Sequence, residues 1–301
     1  MYINSTNNTK LGAWFVASEQ HYRALPFPSP VIDISTALTE RPTVLFLHGR
    51  AGHRAWPGRV RLYGALSARL HVNVLAIDYR GFGDSSGAPT LQGVADDARA
   101  AWDGLIALGA APADVLIVGT SLGCSIASLL AADLGAHAIR PRGLVLLSPF
   151  ASAQTVMYEF YLFGFLPLLK PLVRVPALTR FISKRLMHRF DTVALVPKLL
   201  PSVLIVHAEN DRHVLPAHSD VLFNAFIEPL FPLPLASGAG QQAAARSEIV
   251  TALDIPGLGT LEEAQHQDRR LALLKTRRGG HGIGSVEGVQ DVIGRMFGLI
   301  Q

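Results

Sequence analysis

From Thr43 to Thr276, six short apolar runs alternate with longer helix-compatible segments, and this alternation limits the fold more than any other feature of the 301-residue chain. The runs are Thr43–His48, Val72–Asp78, Asp114–Gly119, Gly143–Ser148, Val203–His207 and Leu271–Thr276. Each is almost continuously apolar, as a strand must be when both faces of its sheet are covered. Helix-compatible stretches lie near 59–70, 90–108, 122–135, 214–227 and 285–299. Strands alternating with helices in this way predict an α/β fold built on a mostly parallel central sheet. In the last helix Val289, Val292, Ile293, Met296, Phe297 and Ile300 recur at helical spacing, with Ser285 as the expected cap.

Two stretches interrupt the alternation. Residues 151–201 are dense in Phe, Tyr, Leu and Pro, whereas residues 229–270 are rich in Ala, Gly and Pro with weak periodicity. The second reads as a mobile surface insertion. The whole chain, 1–301, reads as one domain, with residues 1–41 as an N-terminal approach segment.

Composition narrows the choice of function. Apolar residues make up 49% and charged residues 17%, against roughly 25% charged in an average globular chain, which excludes a disordered protein. A single cysteine, Cys124, excludes an internal disulfide framework and a cysteine-based zinc site. The longest apolar stretch, Phe160–Leu169, is ten residues with Pro167 inside it, well short of the roughly 20 needed to span a bilayer. The net charge is only +4, with no run of five basic residues, which argues against nucleic acid as a partner. Met1–Lys10 has neither the basic nor the apolar region of a signal peptide. Asn4 and Asn7 stand in N-x-T patterns that would accept glycans in a secretory compartment.

The chemistry starts at Gly119-Thr120-Ser121-Leu122-Gly123, which has the form G-x-S-x-G. A strand run precedes it and a helix-compatible segment follows, the setting in which a sharp turn lifts a serine hydroxyl above the sheet. Ser121 is therefore the expected nucleophile. Thr120 offers either a hydroxyl near the site or a packed side chain. A serine nucleophile needs a base, and the base needs an orienting acid, each at the carboxyl end of a strand. Asp211 follows the run Val203–His207 and is the expected acid, with Glu209 as its competitor. His281, between glycines after the run Leu271–Thr276, is the expected base. His207, His213, His218 and His266 lack that setting and are expected to pack or to face solvent. The spacings are 90 residues from serine to aspartate and 70 from aspartate to histidine. Residues 229–270 account for most of the second gap, and such length is tolerated because closure cost grows only logarithmically. The expected oxyanion donors are the backbone N–H groups of Leu122 and of Arg50, in the loop after Thr43–His48. His48 reads as a structural hydrogen-bonder. The Arg50 side chain would meet an anionic headgroup or lie in solvent.

With those residues in view the chain resembles the α/β-hydrolases. The motifs are His48-Gly49-Arg50-Ala51-Gly52, Asp78-Tyr79-Arg80-Gly81-Phe82-Gly83-Asp84-Ser85, Gly119–Gly123, Ser148-Pro149-Phe150 and His207-Ala208-Glu209-Asn210-Asp211. Leu11-Gly12-Ala13-Trp14-Phe15 is similar to the segment just after the membrane anchor in the branch of membrane-associated lysophosphatidylserine and monoacylglycerol lipases. The resemblance covers residues 11–228 and 271–301. It departs from the branch at Thr120, where histidine is common, and at Arg50, where asparagine is common; neither change removes a backbone donor. The usual N-terminal membrane helix is not seen, so the expectation is a shortened form or another mode of attachment.

The resemblance implies an α/β-hydrolase fold with a helical lid at 151–201 and no metal or organic cofactor. It also implies association with membranes, those of the endoplasmic reticulum included, with a cytoplasmic location as the alternative. The lid segment carries seven Lys and Arg against two acidic residues, a surplus of +5, so the basic character of the chain is concentrated there. Its Tyr158, Phe160, Tyr161, Phe163 and Phe165 would line an acyl pocket, face a membrane or pack as core. An apolar and basic lid favours peripheral contact with an anionic lipid surface. The expected activity is cleavage of acyl esters of lipids. A carboxylesterase, thioesterase or peptidase with the same triad is the rival, and a non-catalytic binding protein of this fold is the alternative from another class.

Overall fold

The chain opens with a hairpin, β1 (Tyr2–Ser5) and β2 (Thr9–Val16), followed by α1 (Glu19–Ala24) and α2 (Ile34–Glu40). An alternating series comes next: β3 (Thr43–Leu47), α3 (Pro57–Arg69), β4 (Asn73–Ile77), α4 (Leu91–Ala107), β5 (Val115–Thr120), α5 (Leu122–Ala136) and β6 (Gly143–Leu147). The remaining elements are α6 (Thr192–Leu195), β7 (Val203–Ala208), α7 (Ala217–Ile227), α8 (Ala239–Ile249), β8 (Val250–Ile255), β9 (Gly259–His266), β10 (Arg269–Thr276) and α9 (Glu287–Met296). The structure, a computed structural model, describes residues 1–28, 30–50, 52–152, 191–231 and 239–301. Most of the expected lid, residues 153–190, lies outside these.

All the strands belong to one ten-stranded sheet in the order β1-β2-β4-β3-β5-β6-β7-β10-β9-β8. The six strands expected from the apolar runs are parallel and contiguous in its middle. Their residues alternate between two cores, because successive side chains of a strand point to opposite faces. Leu45, Leu47, Ile117, Leu144, Leu146, Ile205 and Leu273 pack on one face with Trp102 of α4, Ile126 and Leu130 of α5 and Phe223 of α7. Val44, Phe46, Leu116, Val118, Val145, Leu204, Val206 and Leu274 pack on the other with Leu62 and Leu66 of α3 and Ile293 of α9. This double burial is why no polar alternation marks these strands in the sequence.

Two expectations need correction, at residues 229–270 and at Ser285. Residues 229–270 are not a loose surface insertion: α8, β8 and β9 occupy 239–266, and β9 pairs with β10 along its whole length. Pro256-Gly257 is the turn of the β8–β9 hairpin, with Gly257 at φ 78° supplying the left-handed residue. The β8 face is largely exposed and β9 only half-covered, so neither carries the continuous apolar signal of a buried strand. At the amino end, the polar Asn/Ser/Thr run is likewise a hairpin, turned by Asn7 and Asn8 at φ 57° and 56°, and Asn4 and Asn7 are exposed. Ser285 does not cap the last helix; it ends a 3-10 turn, and α9 begins at Glu287 behind Val286, which makes no side-chain cap.

Backbone packs closely against backbone where β5 runs into α5. A Cβ placed on Gly123 would stand 2.0 Å from the Leu47 carbonyl oxygen, and one on Gly119 would stand 2.4 Å from the Gly123 carbonyl oxygen. Among the described residues no helix is long and apolar enough to cross a membrane.

Two outcomes follow from this architecture. Gly123→Ala should lower stability by about 3 kcal/mol, the upper part of the overpacking range, because backbone rather than a yielding side chain blocks the methyl; an unchanged melting temperature would contradict it. Backbone amides of Gly259–His266 should show hydrogen-exchange protection comparable with that of β10, and exchange at loop rates would restore the mobile-insertion reading.

Candidate active site

Ser121 stands alone between the last residue of β5 and the first of α5, at φ 53° and ψ −119°. A serine avoids this left-handed region unless its surroundings impose it. Here the chain is held on both sides: the Ser121 N–H donates to Leu147 O at 2.9 Å, and Ser121 O accepts from Cys124 N at 2.9 Å. Gly119 and Gly123 supply the close approach described above. The G-x-S-x-G spacing thus has a local cause: glycine at both ends lets strand, turn and helix pass within the width of a methyl group. Cys124 lies directly behind the turn, fully buried, its thiol donating toward Gly119 O and Leu147 O at 3.2 Å each. Burial pushes that thiol well up, which makes it a packing group rather than a rival nucleophile.

The loop after β3 passes over Ser121. A Cβ on Gly49 would lie 3.1 Å from Ser121 Cβ, so a larger residue at this crossing would press on the Ser121 turn. The Gly49 carbonyl accepts from His48 Nδ1 at 2.7 Å and from Arg59 Nη2 at 3.3 Å. In a planar trans peptide the following N–H points away from that carbonyl. The Arg50 N–H is therefore turned to the side opposite His48 Nδ1 and Arg59. His48 is fully buried, its ring against Tyr79 with centroids 4.5 Å apart, and Tyr79 Oη donates to His48 O at 3.0 Å. This agrees with the reading of His48 as a structural residue. Farther along the loop, Arg54 donates from its backbone N to Asp78 Oδ1 and from Nη1 to Asp78 Oδ2, both at 2.6 Å, and it also pairs with Asp84. Burial alone would raise the Asp78 carboxyl, but His48 and Arg54 outweigh it and hold Asp78 below the usual carboxylate range.

The carboxyl ends of β7 and β10 bring the acid and the base together. Asp211 Oδ2 lies 2.8 Å from His281 Nδ1, across 70 residues of sequence. Asp211 Oδ1 accepts from the N–H groups of His213 at 2.8 Å and Val214 at 3.2 Å. The carboxylate is fully buried while the His281 side chain keeps 27% of its surface exposed, so one member is shielded and the other is open to a reactant. Burial by itself would raise the Asp211 carboxyl; hydrogen bonds from His207 and His281 and the His213 N–H reverse that and hold it far below the usual range. Asp211 is therefore ionised throughout the neutral range. Glu209, the competing acid, is exposed, and its backbone N–H donates to Thr276 O. His281 sits in the 3-10 turn Gly280–Ser285, and Gly280 N donates to Asn210 Oδ1 at 2.9 Å, which ties this turn to the Asp211 loop.

Sequence reasoning set His207 aside as a packing or solvent-facing residue. The structure buries it completely, with Nε2 at 3.3 Å from Asp211 Oδ2. Its place as the penultimate residue of β7, four before Asp211, was the available signal, because strand-end side chains converge on such sites. His213, by contrast, is exposed, its ring 5.2 Å from that of His281. His218 is buried away from the pair, accepting from Ala151 N at 3.3 Å. Among the described residues no group of His, Cys, Asp and Glu is placed to hold a metal ion.

Comparison with known proteins bears on the family and the fold. The family model described as "Alpha/beta hydrolase family" matches residues 44–247. A Gallus gallus protein named lysophosphatidylserine lipase ABHD12 is 34% identical over 226 residues, 72% of this chain and 55% of that protein. Protein ABHD12B of Homo sapiens is 34% identical over 180 residues, 58% of this chain and 46% of that protein. The matches thus span about half the length of these curated relatives. A solved Pyrococcus furiosus esterase superposes with a TM-score of 0.60 over 99% of this chain and 89% of that one, at 14% identity, a likeness of fold. The chain, from its parallel sheet to the turn that carries Ser121, belongs to the α/β hydrolase family.

Proposed function

We propose that this protein is a serine hydrolase that cleaves carboxylic acyl esters of lipids, a monoacylglycerol or a lysophospholipid. The observation that carries the reading is the 2.8 Å contact between the buried Asp211 carboxylate and His281 Nδ1, at the same end of the sheet as the strained Ser121 turn. That contact assigns the proton on Nδ1 and leaves Nε2 as the basic nitrogen.

In this mechanism Ser121 Oγ attacks the ester carbonyl carbon as His281 Nε2 takes its proton. The negative charge that develops on the carbonyl oxygen is met by the N–H groups of Leu122 and Arg50. Leu122 opens α5, where N–H groups have no acceptor within the helix. Arg50 N–H is turned by the anchored Gly49 carbonyl. Each such donor contributes roughly 10²–10³ in rate. The tetrahedral intermediate then collapses, the ester C–O bond breaks, and His281 returns the proton to the departing alcohol. Water, activated by the same imidazole, attacks the acyl-enzyme and releases the acid. Asp211 keeps its negative charge throughout, orienting His281 and stabilising the imidazolium.

Preference for lipid is supported by the relative named as a lysophosphatidylserine lipase and by the apolar residues and +5 surplus of 151–201. The same surplus supports peripheral contact with an anionic membrane surface. Arg50, exposed beside the site, is suited to an anionic headgroup.

Hydrolysis of long-chain monoacylglycerols and lysophospholipids should exceed that of short water-soluble esters and peptides, and the reverse order would remove the lipase reading. Asp211→Ala and His281→Ala should each lower kcat by on the order of 10⁴. A near-normal rate in Asp211→Ala would move the acid to Glu209.

A further inference from the structure

The Asp211 carboxylate is held by a residue that the triad chemistry does not itself require. His207 is the penultimate residue of β7, with its ring fully buried. Its Nδ1 lies 2.6 Å from Ser219 Oγ on α7, and its Nε2 lies 3.0 Å from Val214 O and 3.3 Å from Asp211 Oδ2. A carbonyl only accepts, so the contact with Val214 puts a proton on Nε2. That one N–H then faces both the loop that carries Asp211 and the Asp211 oxygen that meets His281. In the neutral ring Nδ1 accepts the Ser219 hydroxyl, which fixes tautomer and ring plane together.

The other charged groups nearby are already engaged. Lys275, in register with His207 on β10, reaches Asp220 Oδ1 at 3.0 Å and Glu262 Oε1 at 3.3 Å. His281 meets the same Asp211 oxygen, and the exposed His213 stands beside His281. Asp211 is therefore the charged partner that Nε2 faces.

We propose that His207 is a positioning residue: backed by Ser219, it holds the Asp211 carboxylate in the rotation that presents Oδ2 to His281 Nδ1. The assignment rests on the hydrolase reading above for its kinetic consequence but not for its geometry. The backbone N–H groups of His213 and Val214 secure only Oδ1. Without the His207 contact Oδ2 keeps only His281 as a partner among the described residues, and the carboxylate can turn about its Cβ–Cγ bond. A disoriented carboxylate stabilises the imidazolium less well, so the base holds its proton less readily. The acidic limb of the rate profile should then shift to lower pH.

His207→Gln and His207→Asn separate this role from packing. Both substitutes are polar and smaller than the imidazole. The glutamine amide reaches the position of Nε2, whereas the shorter asparagine amide reaches that of Nδ1 and keeps Ser219 alone. The expected result in His207→Asn is a kcat lower by on the order of tenfold, the loss of a close N–H contact with a charged group. KM should be unchanged and the acidic limb displaced to lower pH. His207→Gln should stay within about twofold of the parent protein, the scatter expected of a preserved contact. The low-field proton resonance of His281 Nδ1, recorded without substrate, should move in the asparagine variant and persist in the glutamine variant. Equal kcat, equal pH limb and equal resonance in the two variants would overturn the proposal. A parent protein that cleaves no ester would instead count against the hydrolase reading, and the resonance would still decide the role of His207.

Discussion

Where β5 passes into α5, three segments of backbone approach so closely that two positions admit no Cβ and a third leaves it barely room. Gly123 lies against the carbonyl of Leu47 at the end of β3, Gly119 against Gly123, and Gly49 against Ser121. These contacts force Ser121 into a left-handed conformation at φ 53° and set the loop after β3 directly over it. The Ser121 turn, the first N–H of α5 and the peptide between Gly49 and Arg50 are brought together by this packing, and His48 and Arg59 anchor the Gly49 carbonyl. Backbone donors fixed in this way need little reorganisation as charge develops, which is the condition for effective electrostatic stabilisation.

The rest of the site depends on the sheet being buried on both faces. A central strand of that kind offers only its ends to chemistry, and those of β5, β7 and β10 lie at one edge because the strands are parallel. The hairpin β8–β9 adds to this. By pairing along the whole of β10 it makes that strand interior, so the turn bearing His281 springs from a strand held on both sides. The 70-residue gap between Asp211 and His281 is thus spent partly on structure that steadies the second residue. Buried pairs and hydrogen bonds do the same for the loop after β3, where Arg54 and Asp78 fix one end and His48 the other.

Much of this was legible in the sequence, for physical reasons that also explain what was not. The six central strands declared themselves through unbroken apolar runs, since double burial leaves no polar face. Ser121 was readable because its turn demands glycines at fixed offsets, and Asp211 and His281 because each follows a buried strand. By contrast β8 and β9 are half-exposed, and Val250–Ile255 mixes Thr, Ala and Asp in a way that a propensity argument does not read as a strand. The amino-terminal hairpin escapes the sequence for the same reason, because its polar run carries no apolar strand signal and Asn7 and Asn8 turn it at positive φ. His207 was hidden differently. An imidazole inside an apolar run is ordinary packing in most sequences, and only the fold of the 209–214 loop over it turns its Nε2 toward Asp211.

Catalysis of this kind requires that His281 make Ser121 nucleophilic. The most direct measurement is labelling with a fluorophosphonate followed by intact-mass analysis and peptide mapping. A single adduct should form on Ser121, disappear in Ser121→Ala and slow steeply in His281→Ala. No adduct, or one that persists unchanged in Ser121→Ala, would contradict the central claim.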